Sequence, residues 1–234
     1  MQGRLKGWLV APALGALLAV GGCAPGGDGG GEDGGGSPGA GRETRAGGPA
    51  LDAVAALTVK GRAPRTGYDR REFGSSWVDT DRNGCGTRDD ILRRDLDGVR
   101  FRDGDCLVAS GTLRNDPYTG RDVTFIRGRS KVDIDHVVAL SDAWQKGAAK
   151  WDRDKRVAFA NDPLNLVAVD ASANRRKGDG DAATWLPPNR AYRCGYVAHQ
   201  VAVKRKYGVW VTPAEQAAMA RVLNGCPDTG LPVG

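Results

Sequence analysis

Histidine is scarce in this chain: there are two, His136 and His199. Chemistry that needs an imidazole near neutral pH therefore has only two places to happen. No Cys-x-x-Cys pair occurs among the five cysteines, which argues against a zinc site of ordinary spacing. No internal repeat is present, no groove-reading module such as a helix-turn-helix is evident, and nothing signals oligomerisation, so a monomer is expected. Charge is also nearly balanced. Lys and Arg number 34 against 28 Asp and Glu, a net +6, and removal of Arg4 and Lys6 with a leader leaves 32 against 28, a net +4. Global charge is thus a weak pointer to a polyanionic partner.

Long apolar runs are missing except from Trp8 to Val20, which is too short to span a bilayer as an ordinary helix. With Arg4 and Lys6 before it, this run reads as a processing signal over 1–22. Val20-Gly21-Gly22-Cys23 resembles a bacterial lipobox, which implies lipidation of Cys23 and membrane contact through that anchor alone. Residues 23–50 are mostly Gly with Asp, Glu, Ser and Pro, the composition of a flexible tether. The expected product is exported, either held at the outer face of the cytoplasmic membrane or secreted. Residues 51–234 are one domain's worth of chain.

Setting Cys23 aside, Cys85, Cys106, Cys194 and Cys226 form an even set, and in an exported chain that argues for two disulfides. Three connectivities are open. Cys85–Cys106 with Cys194–Cys226 is favoured, since each pair brackets one compact block. Each such loop stabilises by about 3–4 kcal/mol on the chain-entropy model.

Local patterning predicts an α+β domain. Leu51 to Leu57 reads as a short apolar helix or strand. Thr87-Arg-Asp-Asp90 before Ile91 and Leu92 reads as a capping box opening a helix that Gly98 ends. Short strands are predicted at 99–101, 106–113 and 123–126, with Asn115 to Gly120 as a turn. Val132 and Ile134 alternate with Asp133 and Asp135, so another strand delivers Asp135-His136 at its end. Helices at 141–149 and 151–159 lead to a strand at 164–169. Ser172 is the expected cap of a short helix over 173–177 stopped by Gly178. Tyr196 to Tyr207 is a plausible amphipathic helix, and Thr212-Pro-Ala-Glu215 a strong helix start.

The informative constellation is Asp135-His136, then Asn165, then Asn174-Arg175-Arg176-Lys177-Gly178. Phosphodiester hydrolysis needs a base for water and a cation for the charge on phosphate and leaving oxygen. His136 suits the first task. Asp135 is a hard carboxylate ligand for Mg²⁺, and Asn174 offers an amide oxygen as a second ligand. Adjacent residues on a strand point to opposite sides, so one can hold the metal while the other faces the water. Lys177, three residues past Asn174 on the same helix face, is placed for a phosphate contact, flanked by Arg175 and Arg176. Asn165, in an apolar strand, would brace the loop after His136. Lys146, Lys150, Arg153, Lys155 and Arg156 add basic character, each best read singly as a solvated helix residue.

This order resembles the ββα-metal core of HNH endonucleases, also called the His-Me finger. The resemblance implies Asp135 as metal ligand, His136 as general base, Asn165 as bracing residue and Asn174 as second ligand. A wider resemblance, over roughly 65 to 226, is to secreted HNH proteins of actinobacterial type related to the nuclease part of GmrSD-like restriction enzymes. It rests on Phe159-Ala-Asn-Asp-Pro-Leu-Asn-Leu166, Trp185-Leu-Pro-Pro188 and Tyr192-Arg-Cys-Gly-Tyr196. Two departures are Ala139, where a proline is frequent, and the missing zinc knuckle. The implied function is metal-dependent cleavage of nucleic acid, DNA first, with little sequence preference. Mg²⁺ is the expected ion, with Mn²⁺ or Zn²⁺ as alternatives. The rival reading is a surface lipoprotein that keeps the fold and binds nucleic acid or an envelope polymer without turnover.

Two further motifs carry expectations. Asp79, Asp81 and Asn83 with Gly84, and Asp90 twelve positions in, imitate a Ca²⁺ loop, although Asp-Asn-Gly turns explain the same pattern. His199 falls within a predicted helix, with no acid at i±4, and reads as a packed or exposed helix residue.

Overall fold

In the computed structural model the described residues are 49–233, so Cys23, the leader and most of the tether lie outside them. The element order is α1 (Pro49–Ala55), α2 (Thr87–Asp95), β1 (Asp97–Phe101), β2 (Val108–Leu113), β3 (Val123–Ile126), β4 (Val132–His136), α3 (Leu140–Gln145), α4 (Arg153–Ala160), β5 (Leu166–Asp170), α5 (Ala171–Lys177), α6 (Arg193–Tyr207) and α7 (Pro213–Asn224), joined in places by short 3-10 turns. The mixed α+β architecture expected from patterning is what forms. β1, β2 and β3 make one antiparallel sheet, and β4 and β5 a second antiparallel pair.

The second pair positions the site. Val132 and Ile134 on β4, with Leu166 and Ala168 on β5, pack into a core shared with Ile91, Leu92 and Phe125. That alternation leaves Asp133 and Asp135 on the opposite face. The register puts Asp135 opposite Val167 and His136 opposite Leu166. α5 then follows β5 without a linker. Asp170 is its N-cap, accepting from the backbone N–H of Ala173 at 2.8 Å, and Gly178 closes it with φ 53°. Ser172 is therefore not the cap; Asp170 lies one position before the first helical residue, where a cap must be.

Several other local expectations are revised. Thr87 is already helical, and its hydroxyl donates to the Val78 carbonyl, so no capping box opens α2. Asp90, the expected partner of Thr87, instead accepts from the Asn83 Nδ2 at 3.0 Å. Gly98 lies inside β1 with φ 60°, after the helix has ended at Asp95. Asn165 lies not in a strand but at the end of the 3-10 turn Pro163–Asn165, which Pro163 begins and Asp162 caps. The Thr212/Glu215 capping box and the C-terminal stop of α7 near Gly225 form as read. Both favoured disulfides are present, Cys85–Cys106 and Cys194–Cys226.

Lys146 is the largest surprise, because it is fully buried rather than solvated. Its Nζ meets Asp142 at 2.7 Å, Asp181 at 2.8 Å and Glu215 at 2.6 Å. Lys204, equally buried, pairs with Glu215 at 2.9 Å and Asp142 at 3.3 Å, and Arg62 reaches Asp142 and Asp181 from the partly exposed edge. Three cations thus meet three carboxylates, and α3, α6, α7 and two loops are joined through them. Nearby, the two ends of the domain meet. Val59 bridges Val211, and the Ala50 N–H donates to the Thr229 carbonyl at 3.2 Å.

Candidate functional site

At the end of β4 two adjacent side chains part. His136 turns to the α2 side and is buried, its ring stacked on Trp77 at 6.2 Å between centroids. The His136 Nε2 is 2.8 Å from the Ala160 carbonyl. A carbonyl can only accept, so this partner assigns the proton to Nε2 and leaves Nδ1 with the lone pair. Burial, reinforced by Arg70 and Lys177 nearby and only partly opposed by the Ala160 bond, pushes the imidazolium down to about 3. The ring is therefore neutral at ordinary pH.

Asp135 turns the other way. Its carboxylate accepts from the Tyr118 hydroxyl and from Lys177 Nζ, which lies 3.0 and 2.9 Å from its two oxygens. Lys177 also donates to the His136 carbonyl at 2.8 Å. The position expected to meet a phosphate is thus buried against Asp135 and the backbone of His136, where it fixes the strand end. Helical geometry explains this: Ala173 and Lys177 are four apart and share the face that α5 turns to the core.

Asn174, on the neighbouring flank of α5, donates its Nδ2 to Asp133 at 3.3 Å. With that nitrogen engaged, the Oδ1 points away from Asp133. Asn165 is buried. Its Oδ1 accepts from the Val138 N–H at 2.9 Å, its Nδ2 donates to Val138 and Phe159 carbonyls, and its own carbonyl accepts from the Val137 N–H at 2.8 Å. Three of these bonds hold the loop that follows His136, and the fourth ties it to α4. Arg175 and Arg176 are exposed on α5.

Asp135, His136 and Asn174 line one cleft of about 220 Å³, together with Tyr68, Arg70 and Asp179. Arg70, exposed, also lines the pocket on the Trp77 side of His136. Sequence patterning does not point to Tyr68, Arg70, Trp77 or Asp179. Tyr68 and Arg70 come from a segment far upstream, held by buried Phe73 in a 3-10 turn that Asp69 caps. The one available signal is the apolar Tyr68 and Phe73 framing a basic run. Among the described residues no three of His, Cys, Asp and Glu converge on a point that could hold a metal. In the Asp79–Asp90 segment, Asp79 and Asp81 accept from the loop's own amides, and Asn83 donates to Asp81 and Asp90, as in a self-bonded turn. His199 donates from Nε2 to the Leu164 carbonyl, which secures the 3-10 turn carrying Asn165.

The model of the C-terminal domain of GmrSD restriction endonucleases matches residues 86–222, more than half of the chain. The chain belongs to that HNH-type nuclease family. An uncharacterized secreted protein of Arthroderma benhamiae is 41% identical over 179 residues, covering 76% of this chain and 84% of that protein. No solved structure matches. The family match begins after Tyr68, Arg70 and Trp77, so the first two, which line the cleft, and the last, which stacks on His136, lie outside the matched region. No helix among the described residues is long and apolar enough to cross a membrane.

Proposed function

We propose that the protein is an exported, metal-dependent HNH endonuclease, with β4, β5 and α5 as its ββα-metal core. The observation that carries this reading is an imidazole fixed through Nε2, with Nδ1 uncommitted among the described residues, in one cleft with Asp135 and Asn174. In this reading Nδ1 of His136 takes the proton from the attacking water. Asn165 keeps the loop beyond the base in place, and Lys177 holds Asp135 rather than substrate. Arg175 and Arg176 contact backbone phosphates.

The residues fit a divalent ion. Asp135 keeps lone pairs beyond those taken by Tyr118 and Lys177, and Asn174 has Oδ1 to offer. Mg²⁺ selects such hard oxygens and commonly takes one or two protein ligands alongside substrate phosphate. When bound, the ion would offset charge on the scissile phosphate and the departing oxygen. Mn²⁺ or Zn²⁺ are the alternatives. DNA is the preferred substrate, without sequence reading, and a lipid anchor at Cys23 would hold the enzyme outside the cell.

The test is degradation of plasmid and of single-stranded RNA by the purified protein, with EDTA and metal add-back. His136→Ala is expected to lower the rate by roughly 10²–10⁴-fold, the range for general-base removal. Equal inertness of wild type and variant with every metal would sink the enzyme reading. A second reading, the binding module without turnover, draws on the Lys177–Asp135 ion pair, which neutralises the expected metal ligand. It expects plasmid retention in a gel-shift assay with no cleavage under any metal.

A further inference from the structure

We propose that the groove between β3 and α5 is a phosphate track that holds the backbone of a nucleic acid beyond the bond being cleaved. This rests on the nucleic-acid reading of the cleft and extends it to a second surface. The groove is about 660 Å³, and its cations are Arg121, Arg129, Lys131 and Arg176. Two carboxylates also line it, outnumbered by the cations. Asp122 is paired with Arg114 and accepts from the Asn115 N–H, whereas Asp170 caps α5 through the neutral Ala173 N–H and keeps its charge.

None of the four cations is paired with a carboxylate among the described residues. Arg121, Arg129 and Lys131 are exposed and make no ion pair or side-chain hydrogen bond among the described residues. Arg176 donates to the Ser172 hydroxyl at 2.6 Å, a neutral partner that leaves its charge uncompensated. Four like charges gathered around one concavity repel one another, and an anion spanning them relieves that cost. Guanidinium groups with the neighbouring Thr124 and Ser172 hydroxyls suit phosphodiester oxygens, and none of this lining demands a particular base.

The placement relative to the cleft selects a polymer over a small anion. α5 divides the two surfaces. Ala173 and Lys177 face the core, Asn174 lines the cleft on one flank, and Ser172 and Arg176, four apart, line the groove on the other. A helix is about 10–12 Å across. That width equals about three nucleotide steps at roughly 3.4 Å of rise along one strand. A strand lying over α5 therefore meets Arg175 at the crest and reaches both flanks.

The experiment is fluorescence anisotropy of a labelled DNA duplex binding to the full protein in EDTA, across a range of NaCl concentrations. The triple variant Arg121→Ala, Arg129→Ala, Lys131→Ala is compared with wild type. Each phosphate deprived of its cation is expected to remove about 0.9 from the slope of log K against log salt, so the triple variant should lose about 2–3. Turnover of saturating DNA, where cleavage is seen, should be unchanged, and so should the melting temperature. Should the triple variant misfold, the single variants replace it, each expected to lose about 0.9 of slope. An unchanged slope in these variants, with Arg175→Ala lowering it, overturns the track. Binding is read without cleavage, so the two ideas fail separately. A protein inert on every metal that still loses slope keeps the track and loses the nuclease.

Discussion

Lys177 and Asn165 show how much a single side chain depends on surroundings that its sequence neighbours do not reveal. A lysine at the last turn of a short basic helix reads as a solvent cation, and nothing in its neighbours' chemistry says that its face is the buried one. Its partner Asp135, 42 positions earlier, makes burial tolerable, since a buried charge survives only when paired and hydrogen-bonded. Asn165 is legible as a brace because an amide among apolar neighbours needs bonds, yet those same neighbours disguise its Pro-initiated turn as a strand. Replacing it by alanine leaves the Val138 N–H buried without its acceptor, a penalty of about 1–3 kcal/mol. Urea unfolding of Asn165→Ala should show a loss in that range. In the nuclease reading its turnover number should fall with little change in KM, because the base loses its support and the phosphate contacts remain. A variant as stable as wild type would show that the three side-chain bonds are dispensable.

At the scale of elements, legibility follows locality. β4 is clear because Val132, Ile134 and the intervening aspartates alternate, and α7 because Thr212, Pro213 and Glu215 are closely spaced start signals. The start of α2 is not, because Thr87 and Asp90 find partners in Val78 and Asn83 rather than in the helix end. Partners outside the helix leave no mark in its own pattern. The same reason hides Tyr68, Arg70 and Trp77, which join the site only after the chain folds back on β4. The disulfides lie between these cases, since proximity in sequence favours the right pairing. Cys194–Cys226 ties the start of α6 to the end of α7. Replacing both cysteines by serine should cost about 3–4 kcal/mol by the loop-closure argument, measured by denaturation with and without reductant. In that double variant, reductant should act only through Cys85–Cys106, which a second measurement under reducing conditions checks.

Across the whole molecule, the Lys146–Lys204–Asp142–Asp181–Glu215 cluster, the buried His136 and the half-buried His199 set how the fold meets acid. Burial alone would raise the Asp142 carboxyl, but Lys204 and Lys146 outweigh it and hold it below the usual range. Asp181 is lowered in the same way, with burial opposed by Lys146 and Arg62. Such carboxylates lose their stabilising effect only as pH falls below about 4. The histidines act earlier. Burial lowers His199 from its ordinary 6.5, the same sign as His136. The unfolded chain then binds protons that the native state refuses, so stability falls as pH drops below about 6.5. His199→Gln should make the stability–pH curve shallower below about 6.5 without flattening it, since His136 still contributes. Thermal melts across that range would decide, and an unchanged curve would rule out His199.

The hydrogen bond from Ala50 to Thr229 and the Val59–Val211 bridge bring the first and last described segments side by side. The order of the chain is therefore open to rearrangement. A circular permutant that joins residue 233 to residue 49 through a short linker, with new ends in the exposed Asp103–Gly104 turn, preserves every strand pairing and both disulfides. It should fold with wild-type circular dichroism and nearly the same melting temperature. In that form the cleft and the basic groove would sit on a chain whose free ends emerge from the three-stranded sheet.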